Sequence, residues 1–263
     1  MASRTPRAKE RDSRDFDTTA LHSLHAKTLN RDYSAHFWRW SFARRMIKPT
    51  DHVLEVGCGV AQPLTDILFH GPGPRAASYT GVDINPLKQR GGQHCKIIGE
   101  FNFANDWKRL PKLAERSAWD VVVHLEVIEH MKVEHGKKLL KGAFELLRPG
   151  GMMIMSTPVY DGKRHAANHI HEYTVGELEA LTWKAGFKVE RRFGTFLDVK
   201  HIGKALPVVM PDELNEKSMR DAIQAVRHAL GRYYDNDALS CFFAPFYPDH
   251  ARNNLWMCRK PQR

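Results

Sequence analysis

The sequence predicts an α/β fold, in which helices cover both faces of a mostly parallel β-sheet. Short apolar segments that suit buried strands alternate along the chain with longer segments that suit helices. The first strand, residues 52–56, runs directly into Gly57 and Gly59, and the second, residues 78–82, ends at Asp83. Glycine lets a backbone turn tightly under a ligand, and ligands bind at the carboxyl ends of parallel strands. The sequence therefore predicts a ligand site at one edge of the sheet.

The elements follow one another in a regular order. A helical segment at residues 18–47 comes first, because its apolar residues fall at helical spacings. Strands are predicted at residues 52–56, 78–82, 95–98, 119–124, 152–156, 187–193 and 254–260. Helices are predicted from Gln62 onward and at residues 86–90, 137–147, 173–185 and 212–230, with glycine or proline at most of the intervening turns. The helix at 173–185 begins with a capping box formed by Thr174 and Glu177.

Composition and periodicity divide the chain into three regions. Residues 1–17 are predicted to form a disordered basic tail, because they are polar and charged and show no apolar periodicity. Residues 18–50 form an N-terminal helical extension, which either lies over the ligand as a lid or packs on the edge of the sheet. Residues 51–263 form the main domain. Within it, residues 205–240 do not fit the alternation and are predicted to be a helical insertion before the last strand.

The composition limits the class of protein. The chain of 263 residues is 42% hydrophobic, which is enough for a core. It has no apolar run of about 20 residues that could span a membrane, and its N-terminus lacks the apolar segment of a secretory signal. The four cysteines show no C-x-x-C spacing, which argues against a zinc site or a disulfide framework and favours a reducing, cytoplasmic compartment. The net charge of +10 makes a nucleic acid a partner to consider.

The ligand motif differs from that of dinucleotide-binding enzymes. Glu55 lies within the first strand, two residues before Gly57. The third glycine of a G-x-G-x-x-G pattern is absent, because Gln62 holds that position. No pyrophosphate cradle is therefore expected, whereas Asp83 stands where such folds hold a ribose diol.

An acid within the first strand, then G-C-G, then an acid at the end of the second strand resembles the class I S-adenosylmethionine (SAM) dependent methyltransferases. The resemblance covers residues 51–193 and the last strand. It implies a Rossmann-like seven-stranded methyltransferase sheet with helices on both faces and an antiparallel last strand. It also implies SAM as cofactor and S-adenosylhomocysteine as product. The residues that it implies for cofactor binding are Glu55, Gly57, Cys58, Gly59, Asp83, Ile84, Glu100, Phe101, His124, Leu125 and Glu126.

The resemblance also assigns parts of the cofactor to some of these residues. Glu55 would hold the methionine end of SAM and Asp83 the two ribose hydroxyls. Glu100 and Phe101 would meet the adenine. His124 and the two residues after it would line the methionine side.

A second motif follows the fourth strand. The segment L-E-V-I-E-H, from Leu125 to His130, is similar to a signature common in small-molecule methyltransferases of this class. Methyl transfer from a sulfonium needs mainly proximity and orientation, and an oxygen or nitrogen acceptor also needs a general base. Histidine suits that role near neutral pH. The candidate catalytic residues are therefore His130, His169 and His171, and the predicted acceptor is a small molecule methylated on O or N.

Other acceptors and roles stay open. Glu126, Glu129, His130 and His169 resemble the metal-binding arrangement of small-RNA 3′-terminal 2′-O-methyltransferases. Ubiquinone-pathway O-methyltransferases share a similar segment, so we assign no metal site from the sequence. The alternatives are a nucleic-acid methyltransferase, acting on an RNA 2′-O or a modified base, and a non-catalytic SAM-binding regulatory module. The fourth strand is followed by neither D/N-P-P-Y/F nor Pro-Cys, which disfavours amino-methylating DNA enzymes and cytosine C5 enzymes.

Overall fold

The structure, a computed structural model, describes residues 31–59, 63–69, 75–88, 94–163, 166–197, 225, 228–229, 241 and 244–262. The predicted basic tail at residues 1–17 lies outside the described residues, as does nearly all of the predicted insertion at 205–240. No helix in the described ranges has the length and apolar character needed to cross a bilayer.

The described strands form one seven-stranded sheet. They are β1 (His52–Val56), β2 (Ser78–Val82), β3 (Cys95–Ile98), β4 (Trp119–Leu125), β5 (Leu147–Pro158), β6 (Lys188–Leu197) and β7 (Ala251–Arg259). Their order across the sheet is β3-β2-β1-β4-β5-β7-β6. The pairs among β1 to β5 are parallel, and β7 runs antiparallel to both of its neighbours, β5 and β6. The predicted Rossmann-like methyltransferase sheet is confirmed, including its antiparallel last strand.

The described α-helices are α1 (Arg31–Met46), α2 (Pro63–Phe69), α3 (Phe103–Asp106), α4 (Leu110–Ala114), α5 (Val133–Leu146) and α6 (Val175–Lys184). Short 3-10 turns lie at Trp107–Arg109, Ile128–His130, Ala244–Phe246 and Pro248–His250. The predicted capping box at the start of α6 is present, with both of its hydrogen bonds between Thr174 and Glu177.

Helices cover the sheet on two faces, and each face has its own apolar core. Neighbouring residues of β1 belong to different cores, Val53 to one and Leu54 to the other, because side chains alternate along a strand. The core that contains Val53 includes residues from α1 and α2, such as Ala43 and Leu64. The core that contains Leu54 includes residues of α5, such as Leu139. Burial on both faces explains the continuous apolar character of the central strands.

Some predicted boundaries are wrong. β5 begins at Leu147 although residues 148–151 suggested a turn, and the register against β4 shifts between Trp119 and Val121 to accommodate this segment. The helix predicted at 86–90 is absent from its described residues, 86–88. There the carbonyl of Asn85 accepts a hydrogen bond from Glu100 N at 3.0 Å, so the segment pairs with the loop after β3. The same loop contains α3 and α4, which were not predicted.

Candidate functional site

The turn after β1 forms a tight cradle. Gly57 and Gly59 have positive φ angles of 74° and 64°, which favour glycine. A Cβ atom on Gly57 would lie 2.5 Å from Val127 Cγ2, so a larger residue does not fit there. Glu55 is buried beneath this turn and accepts a hydrogen bond from the Tyr79 hydroxyl. Burial and the nearby Glu55 raise the pKa of Tyr79 well above its ordinary value, so the hydroxyl remains a donor.

Asp83 is held in one orientation at the end of β2. Its Oδ2 accepts a hydrogen bond from Gly59 N at 3.0 Å. Its Oδ1 accepts from the backbone and side-chain nitrogens of Asn85 at 2.9 and 3.0 Å. A carboxylate has about four lone-pair positions, so Asp83 has one position open for a ligand, on Oδ2.

The cradle opens into a cavity of about 480 Å³ at the carboxyl edge of the sheet. Ten of the predicted site residues line it, namely Glu55, Gly57, Cys58, Gly59, Asp83, Ile84, Phe101, Leu125, Glu126 and His130. Several residues that were not predicted also line it, among them His36, Trp40, Asn102, Lys132, His135, Asn168 and Ile170.

Two of the predicted cofactor-binding residues lie elsewhere. Glu100 is exposed and has a positive φ of 53°, and the neighbouring Phe101 forms the cavity wall instead. His124 is fully buried in β4, and neither ring nitrogen has a hydrogen-bond partner among the described residues. Burial lowers the pKa of His124 to about 3, so its ring is neutral. Alternation along β4 turns the His124 side chain to the same face of the sheet as Val122, which belongs to an apolar core.

Glu126 is fixed by three other parts of the chain. Its Oε1 accepts a hydrogen bond from Ser156 Oγ at 2.6 Å, and its Oε2 accepts from Asn253 Nδ2 at 2.7 Å. Arg39 Nη1 of α1 lies 3.8 Å from Oε1. Burial acts to raise the pKa of Glu126, but the Arg39 guanidinium and the two hydrogen bonds outweigh it and hold the pKa below its ordinary value. Glu126 is therefore a charged carboxylate with both oxygens engaged.

Helix α1 both forms part of the cavity wall and packs on the sheet. His36 and Trp40 line the cavity, with their rings stacked 5.4 Å apart. On another side of the helix, Trp38 and Phe42 contact Phe193 of β6 at ring distances of 6.2 and 5.0 Å. The aromatic residues of α1 are evident in the sequence, but their helical spacing does not show which of them line a cavity and which pack on the sheet.

Two histidines meet beside the cavity. The rings of His130 and His169 lie 5.0 Å apart, edge to face. His130 Nδ1 lies 3.0 Å from the carbonyl oxygen of Asn168, and His169 Nδ1 lies 2.5 Å from Glu172 Oε1. Burial is the main cause that lowers the pKa of His130, so this ring is neutral at pH 7. The third predicted histidine, His171, does not line the cavity, and its ring packs on Tyr173 at 4.5 Å.

Glu129 lies between these histidines and the core. Its side chain is fully buried, and its Oε2 accepts a hydrogen bond from Thr157 Oγ1 at 3.1 Å. Its carbonyl oxygen accepts from Ile170 N and His171 N, which ties the loop after β5 to the turn after β4. Burial and the negative charge of Glu126 raise the pKa of Glu129 well above its ordinary value.

The chain is similar in sequence to known methyltransferases. A family model described as a methyltransferase domain matches residues 25–192, more than half of the chain. A protein from Mycolicibacterium smegmatis, named "Probable S-adenosylmethionine-dependent methyltransferase", is 35% identical over 100 residues, which are 33% of this chain and 38% of that protein. The chain therefore matches little more than a third of the length of that relative. It belongs to the class I SAM-dependent methyltransferases.

Solved structures share the fold at low identity. A chain of the complex between the Haloferax volcanii Trm112 methyltransferase activator and a methyltransferase has a TM-score of 0.56 at 15% identity, over 96% of this chain and 99% of that chain. A SAM-dependent methyltransferase from Archaeoglobus fulgidus has a TM-score of 0.52 at 14% identity, over 88% and 94% of the two chains. The cyclopropane synthase MmaA2 from Mycobacterium tuberculosis has a TM-score of 0.50 at 14% identity, over 90% and 87%. These likenesses concern the fold alone.

Proposed function

We propose that this protein transfers the methyl group of SAM to an oxygen or nitrogen of a small-molecule acceptor. The observation that carries the proposal is that one cavity joins the glycine cradle and Asp83 to the polar side chains of Glu126 and His130. A cofactor that fills the first part would direct its methyl group toward the second part. Family membership supports SAM as this cofactor.

The cradle suits the separate parts of SAM. Asp83, already oriented by Gly59 and Asn85, would accept a hydrogen bond from one ribose hydroxyl at the open position of Oδ2. The second hydroxyl would bind Oδ1 in place of the Asn85 side-chain nitrogen. The Phe101 and Ile84 side chains offer apolar surface to the adenine. Glu55 borders the cavity below the cradle, where it would face the methionine end. This assignment keeps Phe101 from the predicted set and omits Glu100 and His124, because neither Glu100 nor His124 lines the cavity.

The chemical step asks little of the protein. A lone pair on the acceptor oxygen or nitrogen forms the new bond to the methyl carbon. The bond from sulfur to methyl breaks, and its electron pair stays on sulfur, which gives S-adenosylhomocysteine. The acceptor proton leaves to a base or to water. The cavity would contribute mainly by holding the two reactants in line and by excluding water, with the neutral His130 ring next to the acceptor.

The walls of the cavity favour a small acceptor. The cavity has about 480 Å³ in total, within the roughly 300–1,000 Å³ of sites for small ligands, and SAM would occupy part of it. His36 and Trp40 of α1 form part of its wall, so the space for an acceptor is bounded by protein on the side of α1. A nucleic-acid acceptor is the second candidate, and it is supported by the net charge of +10.

Methyl transfer from radiolabelled SAM tests the proposal directly. The full-length protein is incubated with pooled metabolites below about 1 kDa, with RNA, and with DNA. We expect label in a small-molecule fraction and none in the polymers. The matched variant His130→Ala should lower turnover on that acceptor by about 100-fold or more while leaving SAM affinity nearly unchanged. Label only in RNA would replace the leading proposal by the second candidate, and SAM binding without any transfer would indicate a non-catalytic module.

A further inference from the structure

We propose that Glu129, His130 and His169 form a binding site for a divalent transition-metal ion beside the cavity. Each residue offers a ligand-type atom, and these atoms all lie within 4.8 Å of one another. The turn Ile128–His130 supplies the first two residues, and the loop after β5 supplies the third. One carboxylate and two imidazoles that leave further positions open form the donor set of many zinc and iron sites in enzymes.

Glu129 presents an unused ligand atom to this cluster. The side chain is 0% exposed, so water cannot satisfy it. Thr157 Oγ1 donates to its Oε2, but its Oε1 has no hydrogen-bond partner among the described residues. A buried acceptor without a partner is costly, and a metal ion bound at Oε1 would provide one.

The hydrogen bonds of both histidines leave the same ring atom available. His130 Nδ1 donates to the Asn168 carbonyl at 3.0 Å, and His169 Nδ1 donates to Glu172 Oε1 at 2.5 Å. A bond from Nδ1–H to a carbonyl or carboxylate fixes the tautomer that carries a lone pair on Nε2, as is typical of metal-binding histidines. Each ring would therefore bind the ion through Nε2.

The spacing fits an ion better than a direct contact. His130 Nε2 lies 3.9 Å from Glu129 Oε1, which is too long for a hydrogen bond. A transition-metal ion with bonds of about 2.0–2.2 Å holds its ligand atoms roughly 3–3.6 Å apart. To bind one ion, the ligand atoms of the three side chains would need to come closer together, some by a fraction of an ångström and others by more than an ångström. His169 lies on a loop, which can accommodate such a movement. Glu126 is not a ligand in this arrangement, because Ser156 and Asn253 occupy its oxygens.

The role of the ion rests on the proposed function. His130 lines the cavity, so the ion would lie at the wall beside the methyl acceptor. An acceptor oxygen or nitrogen bound at an open position of the ion would lose its proton more easily, because a Lewis acid stabilises the deprotonated form. His130 would then act as a ligand, and not as the base.

Metal titration of the full-length protein tests the site independently of activity. The protein is treated with chelator, dialysed, and titrated with Mn²⁺, Zn²⁺ and Co²⁺ by calorimetry, and the Co²⁺ complex is also followed by visible absorption. We expect one ion per chain. Glu129→Gln and His169→Gln should each weaken binding by about 100-fold or more, and Glu172→Gln, which loosens the His169 ring, by about 10- to 100-fold. His94→Gln is the matched control, because His94 is exposed and lies at the amino end of β3.

SAM affinity and circular dichroism of each variant show whether it is folded. The inference is overturned if the wild type binds no ion, or if Glu129→Gln and His169→Gln, both folded, bind it as tightly as the wild type. It is also overturned if His94→Gln is the variant that loses the ion. Methylation that proceeds at the full rate in chelated protein without a bound ion would refute the role proposed for the ion and leave the proposed function standing. An ion bound as expected, without transfer to any acceptor, would refute the proposed function and leave the site standing.

Discussion

Asp83 is the residue on which cofactor binding should depend most directly. Its two oxygens are oriented by Gly59 and Asn85, so they are positioned before a ribose arrives. Replacing Asp83 by Ala removes hydrogen bonds to a charged group, each worth about 1.5–3 kcal/mol. We expect the dissociation constant for SAM to rise by about 10- to 150-fold, measured by calorimetry. Glu134→Ala removes an exposed carboxylate on α5 and should leave affinity unchanged. Unchanged affinity in folded Asp83→Ala would refute the assignment.

His124 should control part of the acid sensitivity of the fold. Burial lowers its pKa to about 3, whereas an unfolded histidine has a pKa of about 6.5. Between these values the unfolded state binds a proton that the folded state does not, so the free energy of unfolding falls as the pH falls below about 6.5. Each pH unit below about 6.5 lowers the free energy of unfolding by about 1.4 kcal/mol. The free energy of unfolding is therefore roughly 2 kcal/mol lower at pH 5 than at pH 8.

The variant His124→Leu isolates this contribution. It removes the proton-binding ring and keeps an apolar side chain of similar bulk in the interior. Urea unfolding at pH 8 and pH 5 measures how far the free energy of unfolding falls in acid. This decrease should be about 2 kcal/mol smaller in His124→Leu than in the wild type. The replacement His94→Leu, at an exposed position, should show the same decrease as the wild type. Equal decreases in all three proteins would show that His124 does not titrate as its burial implies.

Among single residues, most of those that line the cradle could be predicted from the sequence, and the residues that hold them in place could not. Gly57 and Asp83 belong to short motifs whose chemistry depends on neighbours in sequence. Asn253, in contrast, reaches Glu126 across 127 positions of the chain. No local pattern marks such a residue, because its role arises only when β7 is placed beside β5.

Among the elements, α1 is attached to the site by a buried ion pair. The Arg39 and Glu126 side chains are 3% and 16% exposed, and their closest atoms lie 3.8 Å apart. Removing one partner of a buried pair leaves the other charge uncompensated, which typically costs about 3–5 kcal/mol. We expect Arg39→Met to lower the free energy of unfolding by about 3 kcal/mol, the low end of that range, because Ser156 and Asn253 still donate to Glu126.

A double-mutant cycle checks that the loss comes from this pair. Glu126→Gln removes the charge and keeps a side chain of the same shape. If the pair is the cause, Arg39→Met should cost less in the Glu126→Gln background, with a coupling energy of about 0.5–3 kcal/mol from urea unfolding. Strictly additive losses would mean that Arg39 stabilises α1 through packing and its hydrogen bond to His36, and not through Glu126.

Elements with a strong local signal were predicted well. The bounds of β1, β2 and β3 agree with the sequence, because each is a short segment that contains β-branched residues and lies close to turn residues. The start of α6 was set by the capping box of Thr174 and Glu177, which needs no tertiary contact. Boundaries failed where tertiary pairing decides them, as at Leu147, which joins β5 by pairing with Trp119.

For the whole molecule, the order of the strands came from the resemblance and could not have come from periodicity. An apolar run predicts a buried strand, but it does not tell which strand lies beside it. The antiparallel direction of the last strand was implied once the family was recognised, and the structure adds that β7 lies between β5 and β6. The wall residues His36 and Trp40 were not predicted, because they come from α1, whose helical spacing is also compatible with simple packing.

The charge of the molecule gives a final prediction, which separates the two candidate acceptors. The first 14 residues carry five basic side chains, Arg4, Arg7, Lys9, Arg11 and Arg14. Binding of a polyanion releases counterions, so the affinity for a nucleic-acid acceptor would fall with salt. In a plot of log affinity against log salt concentration, the slope would be about −0.7 to −0.9 per phosphate contact. Deletion of residues 2–14 would make this slope less steep. With the proposed small acceptor, the rate at saturating SAM should be nearly equal at about 50 and 200 mM salt, and equal with and without residues 2–14. A steep slope that the deletion flattens would favour a nucleic acid, because a neutral small acceptor releases no counterions.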